Sequence, residues 1–176
     1  MSNSRDAFLI CLYGLLDSQR RSKIEMNGYR AYLQACSRYI LRYAGKKAVI
    51  VLAGGYTTEL AVSEAASVKY YFRQWLASDE FLLLLEERSK DTEDNLRLGW
   101  EQIKNLELEI SSLTIFCDRY RHGKVWALAW HLLRKEKIRW QVKSFPRQDI
   151  HPNSSWRVQI PEIFKALFFG GRRLGD

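Results

Sequence analysis

Glu86, Ser89, Thr92 and Asn95 recur at every third position of FLLLLEERSKDTEDN, residues 81–95. A carboxylate, two hydroxyls and a carboxamide can donate and accept hydrogen bonds and can move a proton, which suits a polar or charged ligand. The same residue types also suit a plainer role. Ser89, Asp91 or Thr92 can cap the first turn of a helix, and a glutamate directly after four leucines can mark the edge of a core. Spacing alone does not decide between the two.

The flanking pattern says what must hold these residues. Phe81–Leu85 is short, apolar and without polar alternation, as expected of a strand covered on both faces in a parallel sheet. Leu96, Gly99, Trp100 and Ile103 then fall at i, i+3, i+4 and i+7, one face of a helix, with Asn95 near its third position. Strand, polar loop and helix in this order place the loop at the carboxyl edge of a sheet, where open α/β folds receive ligands.

Other segments repeat the arrangement. Ala7–Tyr13 reads as a first buried strand, with Gly14 at the turn that leaves it. Asn27 opens a helix carrying Arg30 in its first turn and ending at Gly45, and Ala48–Ala53 is a second strand ending in Gly54 and Gly55. A turn free of side chains there would let a ligand approach the backbone. Glu64 opens the next helix, where the dipole favours a carboxylate. Leu113–Cys117 is a further strand, followed by Arg119, Tyr120, Arg121 and Lys124 at a helix start. Three cations beside free N–H groups suit a phosphate or carboxylate, and a solvated helix end would look the same. Residues 138–144 alternate apolar and polar, as an edge strand does, and Pro161–Phe169 fits a closing amphipathic helix. Buried strands alternating with amphipathic helices predict a three-layer α/β/α sandwich, Rossmann-like, with about five mostly parallel strands.

The spacing E-x-x-S-x-x-T-x-x-N at Glu86, Ser89, Thr92 and Asn95 resembles the signature of the bacterial YdcF/SanA/ElyC-like family of Rossmann-like domains. Further landmarks of that family stand in order: the early strand, Arg30, Gly54-Gly55, and Ser63-Glu64-Ala65. The resemblance spans residues 6–169. It implies a site at the carboxyl edge that includes Arg30, Glu64 and Glu86, with binding or processing of a small anionic ligand such as a nucleotide, sugar phosphate or cell-envelope precursor. The chain departs from the pattern twice. Gly14-Leu-Leu-Asp17 replaces a more glycine-rich turn, and Arg121 and Lys124 stand where relatives often carry a histidine and an arginine.

Composition bounds the rest. A chain of 176 residues accommodates one domain with a full core. Its 47% apolar content excludes a disordered chain, and charges interrupt every apolar run short of a bilayer span. Arg5 alone precedes the first apolar stretch and no small-residue cleavage site follows, so the expectation is a cytoplasmic protein without a transmembrane anchor. Three cysteines, odd in number and unpaired in spacing, read as buried thiols, and three histidines lack metal-ligand spacing. No metal site is expected, and no cofactor or oligomeric state is indicated. Glu64 and Glu86 could act together as acid and base, or share an ion, if their side chains meet across the crevice. A net charge of +8 admits anionic partners. The charge by itself selects no partner, and its spread along the chain disfavours nucleic acid; the crevice residues favour a small anionic molecule, with a non-catalytic basic module for nucleic acid or anionic membrane as the alternative.

Overall fold

Five apolar segments form one sheet because alternate side chains of each can be buried on opposite faces. The computed structural model describes residues 4–13, 23–45, 47–56, 61–77, 80–146 and 156–169. The strands are β1 (Arg5–Cys11), β2 (Val49–Ala53), β3 (Leu82–Glu86), β4 (Ile110–Asp118) and β5 (Arg139–Phe145). They lie in the order β3-β2-β1-β4-β5, and every pairing is parallel. The chain walks outward from β1 to β3, then crosses to the far side of β1 to lay down β4 and β5. This reversal puts a switch point between β1 and β4, where the loops leaving the two strands diverge and open a crevice.

Among the described residues, four helices pack on the sheet, α1 (Lys23–Tyr43), α2 (Glu64–Leu76), α3 (Thr92–Lys104) and α4 (His122–Leu133), and a fifth, α5 (Trp156–Phe169), packs on α4. Strand parity divides the core in two. Phe8, Ile10, Ile50, Leu52 and Phe116 meet Tyr32, Cys36 and Ile40 of α1 and Val68 and Phe72 of α2. Leu9, Val51, Ile115 and Cys117 meet Leu96, Trp100 and Ile103 of α3 and Val125 and Leu128 of α4. The sandwich is therefore three-layered, as the pattern of strands and helices predicts. The helical face read from residues 96–103 is the buried face of α3.

Two expectations are corrected. β3 is an edge strand with Leu82 37% exposed and Leu83–Leu85 half-buried. An apolar run looks alike at the centre and at the edge of a sheet when helices cover both of its faces; Leu83 and Leu85 pack on the α1/α2 side and Leu84 on the other. α1 begins at Lys23, a full turn before Asn27. Arg30 thus lies in the second turn and not the first, exposed, with its guanidinium carbon 5.3 Å from the ring centre of Tyr71. Among the described residues no helix is long and apolar enough to cross a membrane.

Cys11, Cys36 and Cys117 are all buried and free. Burial pushes the Cys11 thiol from its ordinary 9.0 up to about 12, with nearby Arg121 opposing the rise, and burial likewise raises Cys36 and Cys117. A thiol that stays protonated in the folded chain but ionises in the unfolded one contributes stability that is fully present below pH 9 and is lost as pH rises from there toward 12. Two results are expected. Stability measured by urea unfolding should decline above pH 9, and aromatic disulfide reagents should label the native thiols about a hundredfold more slowly than the unfolded ones.

Candidate functional site

The carboxyl ends of β1, β2, β3 and β4 surround one cavity of about 150 Å³. Leu12 and Tyr13 line it from the exit of β1, Gly55 and Glu64 from the β2–α2 connection, and Arg121 from the turn after β4. Ser89, Lys90, Asp91, Thr92 and Asn95 complete it from the loop and first turn of α3.

Arg121 is placed by four contacts. Asp118, at the end of β4, caps a single 3-10 turn by accepting from the N–H groups of Tyr120 and Arg121 at 3.0 and 3.2 Å. Its other oxygen pairs with Arg121 Nε. The guanidinium also donates to the carbonyls of Cys11 at 3.0 Å and Leu12 at 3.4 Å, and its carbon stands 4.8 Å from the ring centre of Tyr13. Burial is the largest influence and disfavours the charge on Arg121, but the adjacent Asp118 carboxylate, joined by Tyr32 and Cys11, holds the guanidinium above its ordinary range. Of five N–H donors three are engaged by these groups, and Arg121 is among the residues that line the cavity. The Leu12 carbonyl also accepts from Asn95 Nδ2 at 3.4 Å, so the exit of β1 is held by α3 and by the β4 turn together.

The β2 wall is built on glycine. A Cβ on Gly55 would lie 2.1 Å from the Ser89 carbonyl oxygen, and one on Gly54 would lie 2.8 Å from both Leu12 Cβ and Glu64 Cβ. The two glycines therefore let the 87–89 loop and the Glu64 side chain close onto the turn; Gly55 reaches the cavity and Gly54 does not. The first N–H groups of α2, from Glu64 and Ala65, bond to the Gly55 and Gly54 carbonyls at 3.0 and 2.9 Å. Ser63 caps α2 by accepting from Ala66 N–H at 2.9 Å and donates to Glu87 at 2.5 Å. Glu64 is thereby fixed at the cavity wall, 97% of it out of solvent contact, given its 3% exposure.

In the β3 loop, Asp91 is the cap of α3, accepting from Asp94 N–H at 2.9 Å, while Lys90 N–H donates back to Asp94 at 3.3 Å. This reciprocal arrangement satisfies two otherwise orphaned donors. Thr92 is the first helical residue and Asn95 the fourth. Glu86 is fully buried; one oxygen accepts from Arg88 N–H at 2.7 Å and the other has no partner among the described residues. Ser89 is buried as well, and its hydroxyl, although part of a cavity-lining residue, also has no partner among the described residues.

The structure thus gathers Gly55, Glu64, Ser89, Thr92, Asn95 and Arg121 on one cavity. Glu86 is buried and does not line the cavity that Glu64 lines. Arg30 and Gly54 also stand outside it, and Gly14 falls outside the described residues. Arg119, Tyr120 and Lys124 do not line it either: Asp118 already occupies the N–H groups at the turn, and Arg119 is exposed. The expected cluster of three cations at one helix start is replaced by one buried ion pair. Sequence reasoning missed Tyr13, Lys90, Glu87 and the bond between Asp118 and Arg121. Asp followed three residues later by Arg at a helix start was the available signal for that last pair. Among the described residues no group of three or more His, Cys, Asp and Glu side chains could hold a metal ion.

No family model, curated protein or solved structure matches the chain.

Proposed function

We propose that the cavity binds the polar head of a small anionic molecule, a phosphorylated or carboxylated sugar-like compound. The observation that carries this is the Ser89 hydroxyl, buried and without a protein partner in a cavity-lining residue. An unpaired buried hydroxyl costs about 1 to 3 kcal/mol, a penalty that a ligand oxygen would remove. Ser89, Thr92, Asn95 and the remaining Arg121 N–H groups offer donors to an anionic group. Glu64, on the facing wall, offers a carboxylate to ligand hydroxyls. The volume fits a group about the size of one six-membered ring, since a 150 Å³ cavity in another protein holds benzene. A whole nucleotide would therefore extend beyond it.

Ser89→Ala separates a ligand group from a structural one. Affinity for inorganic phosphate or a sugar phosphate, measured by calorimetric titration, should fall about tenfold, as expected for one hydrogen bond to a charged group. The melting temperature of the free protein should stay the same or rise, because an unpaired buried polar group has been removed. Unchanged affinity, or a melting temperature lowered by the substitution, would assign Ser89 to the fold.

A further inference from the structure

α5 buries one side and leaves another open. Ala166 is buried and Ile163 reaches the space above Gly123, so this side packs on α4. Ile160, Phe164, Leu167 and Phe168 fall at i, i+4, i+7 and i+8, a single stripe on a different side of the helix. All four are exposed, Phe164 by 56% and Phe168 by 69%, and the two phenyl rings stack on each other with centres 6.0 Å apart. α4, on which α5 packs, also carries an exposed ring. Trp130, also exposed, packs against the ring of His131, whose Nε2 lies 2.8 Å from the Leu167 carbonyl oxygen.

Cations border this apolar face. The Arg134 guanidinium sits 4.9 Å from the ring centre of Trp130, and Lys165 is exposed on α5 itself. Aromatic side chains at the centre and cations at the rim match the boundary of an anionic bilayer, where rings enter the headgroup region and basic groups meet lipid phosphates. A second copy of the chain fits less well. A two-fold contact through this face would set each basic rim against the same rim on its partner. We infer that α5 and Trp130 form a docking face for an anionic membrane surface, with α5 lying in the plane of the interface. The inference is independent of the cavity and its ligand.

Sedimentation of the full chain with lipid vesicles tests it. Partitioning onto phosphatidylcholine vesicles containing phosphatidylglycerol should exceed that onto phosphatidylcholine alone by about tenfold or more, and should weaken as salt is raised. Phe164→Ser with Phe168→Ser should reduce it by about tenfold or more with the circular dichroism spectrum unchanged, since both rings are exposed. Lys165→Glu should reduce it severalfold without altering apolar contact. No partitioning onto anionic vesicles would overturn the inference. So would a lipid-free dimer, seen by light scattering, that the phenylalanine substitutions convert to monomer.

Discussion

Arg121→Met is expected to destabilise the fold by about 3 to 5 kcal/mol, the usual result of removing one partner from a buried ion pair. Asp118 has a side chain only 4% exposed and Arg121 one 22% exposed, so water does little to replace the lost partner. The substitution also frees the carbonyls of Cys11 and Leu12 and uncovers the Tyr13 ring. In a chain of this size the fall in melting temperature should be roughly 10 °C or more. Arg121→Met combined with Asp118→Asn should recover part of it, because the second change removes the stranded charge while keeping an oxygen for the Tyr120 and Arg121 N–H groups. Equal stability of the single and double variants would mean that Asp118 does not depend on Arg121 for its charge. Both variants should lose affinity for anionic ligands, so stability and binding part company only in the double variant.

Gly55→Ala should have an effect of similar size for a different reason. The added methyl would meet the Ser89 carbonyl oxygen at 2.1 Å and that of Glu87 at 2.8 Å, both backbone atoms that cannot rotate aside. The 87–89 loop would have to move, and the loop is tied to α2 through Glu87 and Ser63 and to its own strand through Glu86 and Arg88. Overpacking of this kind costs about 1 to 3 kcal/mol and occasionally more. The upper end is expected here, together with loss of ligand binding, because Ser89 would leave its place in the wall. Thermal unfolding within 2 °C of the parent, on the order of the shift from a cost below 1 kcal/mol, would show that the loop accommodates the methyl.

The layered fold was legible because each strand and helix carries its own period. Alternate residues of β1 and β2 go to opposite halves of the core, and the i, i+3, i+4, i+7 face of α3 is the buried one. The wall formed by Ser89, Thr92 and Asn95 was legible for a related reason: residues three apart at a helix start lie on the same side. Glu64 belonged with them through its place after a Gly-Gly turn. What escaped depends on contacts between separate loops. Nothing local distinguishes Glu86, tucked behind the wall, from a carboxylate aimed into the crevice, and nothing in Glu87 signals its bond to Ser63 across the β2–β3 gap. Arg119, Arg121 and Lys124 look equivalent in sequence; only the position of Asp118 selects Arg121 and directs it over β1. The edge position of β3 was hidden for the reason that strand order is fixed by crossovers and not by the strand's own residues.

Titration of the isotopically labelled protein with inorganic phosphate, followed through its backbone amide resonances, tests the proposed anion site most directly. Saturable shifts are expected at Gly55, at residues 89–95 and at Arg121, with the midpoint moved to about tenfold higher phosphate in Ser89→Ala, and with Arg119 and Lys124 responding no more than other basic positions. Shifts spread evenly over the basic surface, or saturable shifts centred on residues 119–124 with residues 89–95 silent, would contradict it.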